Sequence, residues 1–169
     1  WTVMDWREVA ERVHEVAAGL LALGVRLEDR VAIAASTRIE WILADIGIMC
    51  AGAATTTVYP NTGPDEIKYI VTDSESKAVV VEDKTQLDKI VADDDIAGLV
   101  HTIIVIDPTG VTLDDRVISY EQLRELGREH LVEQPNCVDD AIAETTLDHL
   151  STLIYTSGTT GRPKGVRLL

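Results

Sequence analysis

Glu28-Asp29-Arg30-Val31-Ala32-Ile33-Ala34-Ala35-Ser36 leaves a turn-rich acidic pair and then runs apolar, with no alternation of polar and apolar residues. A strand covered on both faces reads this way, because neither set of alternating side chains meets water. Upstream, Asp5 and Glu8 have the spacing of a helix-capping pair. Val9, Val13, Val16, Leu20 and Leu23 follow at three- and four-residue steps, which predicts an amphipathic helix stopped by Gly24. Downstream, a second helix is expected over Ile39 to Ala51 and a second strand over Ala54 to Tyr59. The turn-forming run Pro60-Asn61-Thr62-Gly63-Pro64 closes that strand.

The alternation continues. Pro64 at a first helical position, with Asp65 and Glu66 behind it, predicts a third helix whose inner face draws on Ile67, Tyr69, Ile70 and Val71. Ala78 to Val81 reads as a strand, Leu87 to Ala92 as a helix, Asp93-Asp94-Asp95 as a solvated loop and His101 to Ile106 as a strand. Ser119 and Gln122 form a capping box ahead of a polar helix that ends before Pro135. Residues 136–148 form an acidic connector with at most one helical turn, and Leu150 to Thr156 is the last expected strand. Helices between apolar strands make this an α/β chain with a largely parallel sheet and flanking helices. No repeat, low-complexity tract or Gly/Ser linker divides it.

The chain has 169 residues, 46% of them hydrophobic, with 29 acids against 15 bases and a formal charge of -14. That is a single domain's worth of chain, apolar enough to exclude disorder. Its negative field disfavours nucleic acid as a partner, since phosphates are repelled. The charge is unevenly spread. Residues 61–150 carry 21 acids and 7 bases, whereas residues 151–169 carry three cations and no acid. Cys50 and Cys137 have no metal-ligand or disulfide spacing and read as reduced intracellular thiols, Cys50 as a small buried hydrophobe. No signal peptide is recognisable at the start of the sequence. The most apolar run, Trp41 to Tyr59, is interrupted by Asp45 and a threonine cluster, as expected of a buried helix and strand. His14, His101, His130 and His149 lack partners at telling spacing, and no catalytic residue is assigned. Trp1, Trp6 and Trp41 read as core or contact residues.

The chemically informative segment is Leu153-Ile-Tyr-Thr-Ser-Gly-Thr-Thr-Gly-Arg-Pro-Lys-Gly-Val166. Four hydroxyls (Thr156, Ser157, Thr159, Thr160), three glycines and the cations Arg162 and Lys164 follow the end of a strand. Glycines let backbone N–H groups turn toward an anion, hydroxyls add donors, and lysine supplies a point charge. This is the composition of a phosphate-gripping loop. The standard P-loop spacing fails, because Pro163 stands in place of its second glycine and Gly165 in place of its Mg-binding hydroxyl.

Leu153 through Gly165 instead closely resembles the phosphate loop of the adenylate-forming superfamily, which includes acyl-CoA synthetases, luciferases and the adenylation domains of peptide synthetases. Thr2 to Ala10, Gly19 to Val25, Asp29 to Ile33 and Trp41 to Ile48 are similar to the family's N-terminal subdomain, in the same order. Val58-Tyr59-Pro60 resembles the long-chain fatty acyl-CoA ligase branch, although Asn61 stands where a hydroxyl residue is expected and a plain turn explains the segment equally well. The fold implied is the N-terminal part of the adenylate-forming enzyme fold, incomplete over residues 1–169, with the rest of the large domain and the lid domain absent.

The resemblance implies carboxylate activation by ATP to an acyl-adenylate and pyrophosphate, followed by displacement of AMP by the CoA thiol. Thr156, Ser157, Gly158, Thr159, Thr160, Gly161 and Lys164 would then bind the β- and γ-phosphates. Thr159 would carry the hydroxyl on the Mg²⁺ side, and Arg162, at a free position, would face solvent. ATP, Mg²⁺, a fatty acid and CoA are the implied cofactors and partners of a cytoplasmic parent enzyme with room for a peripheral membrane contact. The adenine-binding segment, ribose-binding Asp, hinge and lid lysine are expected beyond Leu169, so the 169-residue chain alone should be inactive. The alternatives are a non-catalytic module that grips nucleotide phosphates or a partner chain, and an unrelated α/β NTPase.

Overall fold

The structure is a computed structural model that describes residues 3–156 and 162–169. Helix α1 (Trp6–Ala22) starts where the Asp5 carboxylate accepts the Glu8 N–H at 2.9 Å, and Gly24 beyond its end lies in the left-handed region at φ 88°. The chain continues through β1 (Arg30–Ala34), α2 (Ile39–Cys50), β2 (Ala54–Val58), α3 (Pro64–Asp73), β3 (Ala78–Val81), α4 (Lys84–Val91) and α5 (Asp94–Leu99). It then forms β4 (Thr102–Val105), β5 (Val117–Ser119), α6 (Tyr120–Glu133), α7 (Cys137–Glu144), β6 (Thr152–Thr156) and β7 (Lys164–Leu168).

Among the described residues, seven strands make one sheet in the order β5-β4-β3-β1-β2-β6-β7. Every neighbouring pair is parallel except β6 and β7. Val31, Ala32, Ile33 and Ala34 of β1 are completely buried, as their apolar run predicts. Val31 and Ile33 pack with α1, α2 and α6, whereas Ala32 and Ala34 pack with Ile67, Ile70 and Val71 of α3 and with Ile90 and Ile96. Each fully buried Val or Ile is worth roughly 1.5–3 kcal/mol of transfer free energy, so this strand is held from both sides.

Some elements depart from the sequence expectation. The three aspartates are not a loop: Asp93 caps α5 by accepting the Asp95 and Ile96 amides at 3.0 and 3.2 Å. Acids at a helix start are favoured by its dipole, and Lys68 of α3 bridges Asp93 and Asp95 at 3.0 and 2.7 Å. These hydrogen bonds hold Asp93 below the usual carboxylate range and raise the lysine. Residues 136–148 contain an eight-residue helix, α7, rather than one turn. Strand β5 is too short to produce a pattern, and its turn is made by the Asp114 carboxylate accepting the Arg116 and Val117 amides at 2.8 and 2.7 Å. Trp6 is 86% exposed and contributes nothing to the core, whereas Trp41 packs against it. Trp1 lies outside the described residues.

The capping box at α6 is complete. Ser119 Oγ accepts the Gln122 N–H at 3.1 Å, and Gln122 Oε1 accepts the Ser119 N–H at 2.8 Å. Ser119→Ala is expected to cost about 1 kcal/mol, read as a lower urea midpoint with an unchanged slope.

Candidate functional site

The sheet ends in a hairpin. Strand β6 pairs with β2 on one side and β7 on the other, and its last antiparallel pair is Thr156 with Lys164. Directly opposed residues of such a pair project from the same face, so Thr156 and Lys164 point one way and Tyr155 and Gly165 the other. The stretch 157–163 joins the two strands. Two of the seven expected phosphate-loop residues are thereby brought opposite each other, while Ser157, Gly158, Thr159, Thr160 and Gly161 lie outside the described residues. Thr156 and Lys164 are both exposed. Among the described residues no ion pair occupies the Lys164 ammonium.

The same edge of the sheet carries other chemistry. Strand β2 runs parallel to β6, so its carboxyl end delivers Tyr59-Pro60-Asn61 beside the hairpin, with the Tyr59 ring exposed. Gln86 Nε2 and Lys89 Nζ of α4 donate to the Pro60 carbonyl at 2.9 and 3.0 Å and fix that turn. At the carboxyl ends of β1 and β3, the Ser36 N–H donates to Glu82 at 2.8 Å. Arg38 meets Glu40 at 2.7 Å and Glu82 at 3.6 Å. The Ser36 hydrogen bond, reinforced by Arg38, holds the Glu82 carboxyl below its ordinary range. Strands β2-β1-β3-β4-β5 follow a doubly wound order whose direction reverses between β1 and β3, where such sheets characteristically bind ligands. Sequence reasoning missed the Glu82 cluster because its partners are 44 to 46 residues apart and carry no motif.

On the other face of the hairpin, the Tyr155 hydroxyl donates to Asp73 Oδ2 at 2.7 Å. The Tyr155 ring meets Tyr69 edge-on, with centroids 6.2 Å apart. Arg162 is exposed, as expected, but its guanidinium carbon lies 5.4 Å from the Tyr69 ring centroid. A cavity of about 550 Å³ opens beside this contact between α3 and Pro163.

The described residues contain no group of three or more His, Cys, Asp or Glu side chains able to hold a metal ion. Cys50 and Cys137 are free and half-buried, and burial pushes both thiols up. His149 is used structurally, its Nδ1 accepting the Thr146 N–H at 3.1 Å. Among the described residues no helix is long and apolar enough to cross a membrane.

Residues 1–168 match the family described as AMP-binding enzyme. The chain belongs to that family. It is 31% identical over 99% of its length to the long-chain-fatty-acid–CoA ligase FadD15 of Mycobacterium bovis, of which it covers 26%. The anthranilate CoA ligase AuaEII, solved with anthranoyl-AMP, superposes at a TM-score of 0.80 with 24% identity, over 97% of this chain and 29% of that one. ATP-bound MatB from Rhodopseudomonas palustris superposes at 0.68 with 27% identity, over 96% of this chain and 29% of that one. The mostly parallel sheet and flanking helices of this family member are thus the N-terminal part of the adenylate-forming fold. The chain spans about a quarter of the length of the FadD15 relative.

Proposed function

We propose that this chain is the N-terminal, triphosphate-gripping portion of an AMP-forming long-chain fatty acid–CoA ligase, residues 1–169 being part of its large AMP-binding domain. The observation that carries the reading is the β6–β7 hairpin. Its closing pair, Thr156 and Lys164, is exposed at the carboxyl edge of a parallel sheet and brackets a run of glycines and hydroxyls. Residues 151–169 carry three cations and no acid, on a chain of charge -14. Family membership and the likeness to ATP-bound MatB support reading ATP as the ligand of that corner.

On this reading Thr156, Ser157, Gly158, Thr159, Thr160, Gly161 and Lys164 bind the β- and γ-phosphates of ATP, with the Thr159 hydroxyl on the Mg²⁺ side. Bound MgATP supplies an α-phosphorus open to attack by a fatty acid carboxylate, with pyrophosphate as the leaving group. The chain's own contribution is fixed donors and one point charge where negative charge builds on that leaving group. The later transfer of the acyl group from the adenylate to the CoA thiol, with AMP leaving, belongs to the whole protein. The two free thiols fit a reducing, cytoplasmic setting.

Fatty-acid-dependent ATP–pyrophosphate exchange tests the reading. The full-length protein should exchange with long-chain acids, and the 169-residue chain alone should stay at the blank. Exchange by the isolated chain, or none by the full-length protein with any fatty acid, overturns it.

A further inference from the structure

The outermost strand, β7, is exposed along its whole length and, among the described residues, pairs in the sheet with β6 alone. A hairpin at such an edge is free to twist unless something outside the ladder holds it. Among the described residues, helix α3 contacts both stems of the hairpin. One residue before Thr156, Tyr155 turns its ring inward, 9% exposed, and hydrogen-bonds Asp73 at the last turn of α3. On the returning stem, Arg162 lies over Tyr69, one helical turn earlier on the same helix. Gly165 completes the arrangement. A Cβ there would sit 3.1 Å from Tyr155 Cζ and 3.3 Å from its hydroxyl oxygen, so a side chain would press β7 away from the ring.

We infer that Asp73, Tyr155 and Tyr69 are positioning residues that clamp both stems of the phosphate loop to α3, setting the angle at which Thr156 and Lys164 present their donors to the triphosphate. The inference rests on the proposed triphosphate site and deepens it. The clamp lies on the face of the hairpin opposite Thr156 and Lys164, so none of its side chains has to touch the nucleotide. Burial, followed by the Asp73 hydrogen bond, keeps the Tyr155 phenol's pKa above its ordinary value, so the phenol remains a proton donor throughout the neutral range.

The test is a comparison of KM values in fatty-acid-dependent exchange by the full-length protein. Tyr155→Phe keeps the ring and removes the hydrogen bond, and Asp73→Ala removes the acceptor. Each should raise the KM for MgATP roughly five- to tenfold, on the scale of one lost hydrogen bond, with the KM for fatty acid unchanged. Asp73→Asn retains an oxygen that accepts the phenol proton and should stay within about twofold of wild type. Electrostatics alone predicts the opposite sign, since deleting a carboxylate near an anion's site tightens binding. If Asp73→Asn loses as much as Asp73→Ala, or if both KM values rise together with a lower melting temperature, the clamp is refuted. If Lys164→Ala impairs MgATP use while Tyr155→Phe and Asp73→Ala leave it untouched, the clamp fails and the triphosphate site stands. If Lys164→Ala is also silent, the site fails and the clamp with it.

Discussion

Gly127→Ala should destabilise the 169-residue chain by about 3 kcal/mol, at the upper end of the usual cost of overpacking. Helix propensity alone predicts the reverse, because alanine in a helix interior is favoured over glycine by about 1 kcal/mol. Contact geometry decides the sign. Helices α1 and α6 cross with their backbones touching: a Cβ on Gly127 would overlap the Glu15 carbonyl and lie 2.9 Å from the Gly19 nitrogen. These are backbone atoms of the facing helix, so no rotamer change relieves the clash. The crossing is further pinned by Arg124, which bonds Glu15 at 2.7 Å across the helices, both side chains being mostly covered. Gly98 provides the control. It lies within α5, and a Cβ there meets nothing within 4 Å. Gly98→Ala should therefore be neutral or stabilising by up to about 1 kcal/mol. Urea midpoints of the two variants on either side of wild type confirm the packing argument, and a stabilised Gly127→Ala refutes it.

The same contrast between local and distant partners explains what the sequence made visible. Strand β1 was legible because burial on both faces is written into consecutive residues, and α6 because Ser119 and Gln122 are only three apart. Asp93-Asp94-Asp95 misled because a run of like charges resembles solvated loop, whereas its capping role depends on the Ile96 amide and on Lys68 a helix away. The connector hid α7 because Asp139 and Asp140 gave it a polar look, although they stand in the first turn, where the helix dipole favours acids. At the candidate site, the order of hydroxyls, glycines and lysine stood out in a single stretch. The opposition of Thr156 and Lys164 did not, since it depends on the register of a hairpin. Nor did the link from Tyr155 to Asp73, 82 residues apart, for which one sequence holds no signal.

Lys164→Ala in the full-length protein should weaken MgATP use by about 1.5–3 kcal/mol, the value of a hydrogen bond to a charged group. That corresponds to roughly a 10- to 150-fold loss in kcat/KM for MgATP. The position justifies the upper part of this range better than an ordinary surface lysine would, for which an ion pair is worth at most about 1 kcal/mol. Lys164 begins an edge strand, so β7 fixes its backbone directly across from Thr156, and no carboxylate among residues 151–169 competes for its ammonium. A triphosphate is a multiply charged ligand whose charge grows at the bridging oxygen as pyrophosphate departs, so the lysine should stabilise the transition state more than the ground state. The loss should accordingly fall on kcat as well as on KM, and Lys164→Arg, with its charge intact but its fork too broad for a point contact, should recover only part of it. Lys77→Ala is the matched control: a lysine on the far, amino-terminal side of β3, it should leave exchange unchanged. Equal kinetics for Lys164→Ala and Lys77→Ala would remove the hairpin from nucleotide binding.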